Sequence, residues 1–195
     1  MTHKADSLTA WYSFVKGFIR SPRSVGSIAP SSRWLVKAML AEAQVEAAKV
    51  VVEFGAGTGV FTLAMLRRLR PDARLLVFEI NPEFHRDLQA RITDGRVEVL
   101  HASAAEIDYH IERLGLSAPD CIVSGLPFTS LPRSVTHAIL QATYATLKPG
   151  GVFVTYQYTP LLRRVLASYF DTTRITRLVL RNLPPALVFV CRKHS

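Results

Sequence analysis

From residue 50 onward, short apolar runs alternate with stretches in which apolar residues return every three or four positions. The runs predict buried strands and the stretches predict amphipathic helices. Strands are predicted at 50–54, 74–80, 96–100, 120–124, 152–157, 174–180 and 186–191, and helices at 60–69, 82–92, 104–114, 131–147 and 161–170. Proline, glycine and Asx residues punctuate the boundaries: Pro71, Asp94-Gly95, Gly115, Gly125-Leu126-Pro127 and Pro149-Gly150-Gly151. The last two strands are separated only by Asn182-Leu183-Pro184-Pro185 after Arg181, too little chain for a helical crossover, so they form an antiparallel hairpin. Strand and helix otherwise alternate. The pattern predicts an α/β class: one doubly wound, Rossmann-like sheet of seven strands whose last hairpin is antiparallel.

Two helices are predicted before residue 50. In 5–20, Leu8, Trp11, Tyr12, Val15, Phe18 and Ile19 share one face, broadened by Phe14, while Lys4, Ser13, Lys16 and Arg20 lie off it. Aromatic residues on one side and cations on the other compose a helix for a lipid interface. The same stripe also serves for packing on the domain's own core. Residues 21–30 are irregular, and Ser31 or Ser32 can cap a second helix running to about residue 47. The chain is thus expected to divide into an N-terminal helical extension, 1–47, and a sheet domain, 48–195.

Composition refines this picture. A chain of 195 residues with 49% hydrophobic residues can bury one sizeable core. No apolar stretch reaches the length of a membrane span, and residues 1–30 lack the pattern of a secretory signal. Cys121 and Cys191 lie in strand-like apolar runs and read as buried free thiols of a reducing compartment. The formal net charge of +9 is unevenly placed. Residues 1–40 hold six Lys/Arg and one Asp, residues 160–195 seven and one, and the middle eleven Lys/Arg against thirteen Asp/Glu. Basic ends around a nearly neutral centre imply an anionic partner, either nucleic acid or a lipid surface.

The chemistry concentrates at strand ends. Glu53-Phe54-Gly55-Ala56-Gly57-Thr58-Gly59 joins the first sheet strand to a helix. Glycine permits positive φ there and lets backbone N–H groups approach a ligand. Glu79 ends the second strand, where an acid can accept the hydroxyls of a ribose. A third phosphate-binding glycine and a Gly-Lys-Ser/Thr are both missing. His101 and His137 have no partner spacing and read as structural, and no Cys/His cluster suggests a metal.

This pair of motifs resembles class I S-adenosylmethionine (SAM) methyltransferases. The resemblance implies SAM as cofactor, with S-adenosylhomocysteine as product. The loop of Gly55, Ala56, Gly57, Thr58 and Gly59 then runs under the amino-acid end and ribose. Glu53 orients that loop or takes the ammonium, and Glu79 takes the ribose diol. Ile80 covers the adenine or packs in the core. Ser103, with Ala104, stands where such enzymes often carry Gly-Asp-Ala and offers the adenine a neutral acceptor.

Ser124-Gly125-Leu126-Pro127-Phe128 ends the fourth strand and resembles the turn of amine methyltransferases, which aims a carbonyl and a side-chain oxygen at the amine. Ser124, Leu126 and the Phe128 ring are the residues so implied. Compared with the Asn-Leu-Pro-Tyr of rRNA adenine dimethylases, it keeps Leu126-Pro127 but lacks the Asn amide and the Tyr hydroxyl. Gly26-Ser27-Ile28-Ala29-Pro30-Ser31-Ser32, behind an aromatic helix, together with Tyr156-Gln157-Tyr158 and Asn182–Pro185, resembles bacterial phospholipid N-methyltransferases over essentially the whole chain. Ornithine-lipid methyltransferases look similar.

That resemblance implies methylation of a phosphatidylethanolamine amine on an anionic membrane, at the inner face of the cytoplasmic membrane, with helix 5–20 as the membrane contact. Ser27, Ser31 and Ser32 would help close the cofactor site, and Arg33 would hold the lipid phosphate. Tyr156 and Tyr158 are candidates for the amine or its proton, one of the two being core-packed. Nucleic acid is not expected as the partner; the alternative is an RNA adenine N-methyltransferase, for which the basic charge and the Leu126-Pro127 turn speak.

Overall fold

The structure, a computed structural model, describes residues 32–194. Helix α1 (Arg33–Ala43) leads into strand β1 (Val50–Phe54). There follow α2 (Val60–Leu66), β2 (Arg74–Phe78), α3 (Pro82–Arg91), β3 (Val97–Leu100) and α4 (Ile107–Arg113). The remainder is β4 (Cys121–Ser124), α5 (Arg133–Thr146), β5 (Val152–Gln157), α6 (Leu162–Leu166), β6 (Thr172–Val179) and β7 (Ala186–Arg192). The strands lie in the order β3-β2-β1-β4-β5-β7-β6, the first five parallel and β7 antiparallel to both neighbours. Strand order reverses between β1 and β4. In open α/β sheets, ligands bind in the crevice opened at that reversal, beyond the carboxyl ends of the strands.

Alternation along each strand divides the core in two. Val51, Val123, Val154 and Val188 face α1, α2 and α3, meeting Leu35, Met39, Met65 and Leu88. Val52, Phe54, Ile122, Phe153 and Phe189 face α4, α5 and α6, meeting Ile107, Ile139 and Leu166. Every residue of β1 is buried because helices cover both faces. Helix α1 belongs to this same core through Leu35, Val36, Met39, Leu40 and Ala43. The aromatic helix expected at 5–20 lies outside the described residues.

Local chemistry sets the boundaries. α1 stops at Ala43, four residues short of expectation, because Gln44 turns left-handed at φ 52° and a 3-10 turn, Val45–Ala47, follows. β2 stops at Phe78, because the Glu79 side chain bonds the Asn81 N–H and starts the turn into α3. α3 is capped by Asn81, whose Oδ1 accepts from the Glu83 and Phe84 N–H groups, with Pro82 at its first position. Both cysteines are free and buried, and burial raises each thiol to about 12. They are inert packing groups.

Candidate active site

The loop between β1 and α2 takes positive φ at Gly55 (71°), Gly57 (53°) and Gly59 (82°). The first and last also have no room for a side chain. A Cβ on Gly55 would lie 2.7 Å from Leu126 Cδ2, and one on Gly59 2.6 Å from Leu88 Cδ2. At Gly57 a Cβ would meet nothing within 4 Å, so this residue borders open space. The loop is fastened from two sides. Glu79 Oε2 accepts from the Gly57 N–H at 2.8 Å, and Arg91 Nη2 donates to the Thr58 carbonyl at 3.0 Å. Ala56 is buried beneath it, and its carbonyl accepts from the Gly59 N–H at 2.9 Å. Across the strand reversal, a Cβ on Gly125 would sit 2.9 Å from the Gly55 carbonyl oxygen. The two turns flanking the crevice therefore touch backbone to backbone.

The two acids sit side by side at the ends of β1 and β2. Glu53 is 1% exposed, accepts the Thr62 hydroxyl at 2.6 Å on Oε2, and leaves Oε1 buried without a partner. Burial pushes its carboxyl up to about 8; the Thr62 bond opposes this and the nearby Glu79 adds to it. Burial also raises Glu79, against the N–H groups of Asn81 and Gly57 that stabilise its charge. An unpartnered carboxylate oxygen under a glycine loop, beside a second buried acid, is suited to a cationic ligand.

The raised Glu53 carboxyl makes stability depend on pH. The fold holds this proton more tightly than the unfolded chain does, so the stabilisation is complete below the ordinary 4.5 and is lost as pH rises towards 8. In urea titrations without ligand, the wild type should lose on the order of a few kcal/mol between pH 5 and 8, and Glu53→Gln distinctly less. Equal pH slopes for the two proteins would show that Glu53 is not the titrating group.

A small cleft opens beside the loop, lined by Gly55, Glu79, Ile80, Ala102, Ala104 and Leu126 with Phe78 and Ile139. Ile80 is half-buried and forms its wall. Ser103 departs from expectation. Its hydroxyl oxygen accepts the Ala105 N–H at 3.2 Å, and Glu106 answers by accepting the Ser103 N–H, a capping box on the 3-10 turn Ala104–Glu106. The wall at this place is made by Ala102 and Ala104, which flank Ser103 in the sequence. His101 bonds the Ile80 carbonyl at 3.0 Å and His137 the Tyr169 hydroxyl at 2.5 Å, both structural contacts.

The turn after β4 also differs from the sequence reading. Ser124 is fully buried, and its hydroxyl accepts the Leu126 N–H at 3.2 Å. It shapes its own turn and does not face an incoming amine. The Leu126 carbonyl accepts from Gln157 Nε2 at 3.0 Å and from the Phe128 N–H at 3.0 Å, filling both lone pairs, while its side chain lines the cleft. Phe128 is buried, with its ring edge-on to Phe153 at 6.1 Å, so it is a core residue and not a platform for substrate. Gln157 was not anticipated. It clamps this turn by donating to Leu126 and accepting the Thr129 hydroxyl at 3.1 Å. The available signal was a polar residue closing an otherwise apolar strand.

Of the two tyrosines, Tyr156 is buried and stacks on Phe61 at 6.3 Å, while Tyr158 is 43% exposed. They lie on the same side, 5.9 Å apart, and differ because Tyr158 stands beyond the last residue of β5. Burial and the adjoining Tyr156 raise the Tyr158 hydroxyl to about 12. It keeps its proton at neutral pH, so it can accept a hydrogen bond from an amine but does not act as a base. Ser32 caps α1 by accepting the Leu35 N–H at 3.2 Å, and its own N–H donates to Asn182 Oδ1 at 3.1 Å. That hydroxyl oxygen holds a helix end. Arg33 is exposed, its guanidinium 5.0 Å from the centroid of the Trp34 ring. Ser27 and Ser31 lie outside the described residues. Among the described residues, no group of three or more His, Cys, Asp or Glu side chains could hold a metal.

The doubly wound sheet, its glycine turn at the strand reversal and the acid ending β2 define the class I SAM-dependent methyltransferases. Residues 51–151 match the family described as "Methyltransferase domain", and the chain belongs to that family. It is 32% identical over 184 residues to the ornithine lipid N-methyltransferase of Singulisphaera acidiphila, covering 93% of this chain and 95% of that one. Among solved structures it is similar to the 1,6-didemethyltoxoflavin-N1-methyltransferase of Burkholderia thailandensis, crystallised with S-adenosylhomocysteine. That likeness has a TM-score of 0.73 and 19% identity, over 96% of this chain and 90% of that one. A 16S rRNA N2 G1207 methyltransferase from T. thermophilus gives 0.64 and 22%, over 88% of this chain but 45% of its own length.

SAM is thus the cofactor, and the residues present fit it. The unpartnered Glu53 oxygen suits a cation, Gly57 faces open space, and the cleft beside Glu79 is walled by small and apolar side chains. Glu79, Gly55, Gly57, Ile80, Ala102, Ala104 and Leu126 would hold it. When bound, SAM supplies a methyl group on a positively charged sulfur.

Proposed function

We propose that this enzyme methylates the amine of a membrane-lipid headgroup, with ornithine lipid as the favoured substrate and phosphatidylethanolamine as the second. The observation that carries this reading is the end-to-end match to an ornithine lipid N-methyltransferase, which spans nearly all of both chains. The chemistry is compatible. A primary headgroup amine has a pKa near ~10 and must lose a proton before its lone pair can attack. A dry approach along the axis of the breaking bond then suffices, without a metal. The protonated Tyr158 hydroxyl, 43% exposed, is a group able to orient such an amine.

We place the reaction at an anionic membrane on the cytoplasmic side. The basic ends of the chain and its two free, buried thiols support that placement. No helix among the described residues is long and apolar enough to cross a membrane. Purified protein with labelled SAM should therefore be offered anionic vesicles carrying ornithine lipid or phosphatidylethanolamine, and total RNA in parallel. Label should enter the lipid, ornithine lipid faster, and leave RNA untouched. Label in RNA alone would overturn the proposal.

A further inference from the structure

The hairpin β6–β7 carries features that methyl transfer leaves unused. β7 runs antiparallel to β5 and β6 antiparallel to β7, so the turn at 180–185 stands at the carboxyl end of the parallel strands, the end that bears the glycine loop. Leu180 is 70% exposed and Leu183 83%. The Arg181 guanidinium lies 4.6 Å from the centroid of Trp34, itself 36% exposed, with Arg33 close to the same ring. Asn182 locks the parts together, accepting the Ser32 N–H and donating to the Pro184 carbonyl at 2.8 Å. Turn and helix start are one unit, and residues 1–31 join the described domain there.

We propose that this unit is where the folded domain rests on an anionic lipid bilayer. The proposal rests on the lipid-amine reading above and adds the surface that presents the cleft to its substrate. A lipid amine stays at headgroup level, so the end of the sheet holding the cofactor cleft must face the membrane. The unit lies at that end. Exposed leucines beside arginines and a tryptophan are the composition of an interfacial contact. No Asp or Glu occurs between residues 178 and 188 to repel an anionic surface. Each cation held near such a surface strengthens binding roughly fivefold. Leu180 and Leu183, the exposed leucines of the turn, offer a single-stranded nucleic acid neither a stacking ring nor a hydrogen-bonding side chain.

The test uses the full chain. The triple variant Leu180→Ser, Arg181→Glu, Leu183→Ser changes only exposed side chains, and its circular dichroism should match the wild type. Flotation with phosphatidylglycerol vesicles should fall about tenfold or more. Turnover on vesicle-borne amino-lipid should fall with it, while turnover on a short-chain, monomerically dispersed amino-lipid stays within about twofold. Wild-type flotation of the triple variant would overturn the proposal. Failure of the substrate reading has a different signature: wild type labels neither lipid form, yet the variant still loses vesicle binding.

A second measurement leaves the turn and the start of α1 unaltered. The chain has two tryptophans, so Trp11→Phe makes Trp34 the sole emitter. Vesicles with acyl chains brominated near the headgroup should quench it. Bound vesicles without quenching would overturn the proposal, as would RNA binding in place of vesicles that is lost on Arg181→Glu.

Discussion

Glu79→Ala is expected to weaken SAM binding by about 1–3 kcal/mol, roughly fivefold to 150-fold, in a calorimetric titration. The carboxylate at this position does two things at once. It presents charge to the cleft, and it holds the N–H groups of Gly57 and Asn81 at 2.8 and 2.7 Å. Truncation removes the acceptor and leaves both N–H groups without it, so loop and ligand contact fail together. Glu79→Gln should recover little, because an amide turns an NH₂ towards one of those two donors. Wild-type affinity in the alanine variant would remove Glu79 from the cofactor site.

The largest loss of stability is expected from Phe153→Ala, about 3–5 kcal/mol by urea denaturation. Phe153 is fully buried in mid-strand, stacked on Phe170 at 5.4 Å with rings 3° from parallel, and edge-on to Phe128. The cavity would open directly beneath the turn after β4. Turnover should therefore fall even under conditions where the variant remains folded, with SAM affinity affected less. A change below about 1 kcal/mol would show that the aromatic cluster does not behave as core.

The strand pattern was legible because all of β1, β4 and β5 is buried between helices and so is written mainly in apolar residues, with polar ones near the carboxyl ends. The hairpin was legible from the shortness of its turn. The glycine loop and Glu79 were legible because positive φ and a strand-end acid are requirements visible at single positions. Ser32, Ser103 and Ser124 bond the backbone in a way that the sequence did not show, for a common reason. A serine beside a turn can bond its own backbone or a ligand, and sequence does not distinguish the two. In all three the backbone takes the hydroxyl oxygen. Phe128 was misread because a ring after a Leu-Pro turn fits either a substrate platform or a core, and only the position of Phe153 on the neighbouring strand decides. The role of Gln157 escaped notice because its partners, Leu126 and Thr129, lie some thirty residues away in sequence, where no local pattern points.

The bond between Ser32 and Asn182 joins residues 150 apart, and this orders events during synthesis. Strands β1 to β4 and their helices can pair as they leave the ribosome, since each contacts neighbours already made. α1 cannot. Its apolar side packs in part on Val188 and Val190 of β7, the last strand to emerge. Until then Leu35, Met39 and Leu40 must wait without their final cover. The nascent chain thus carries an incompletely covered apolar helix until its last hairpin is made, a state in which chaperones, or a nearby bilayer, would find it first.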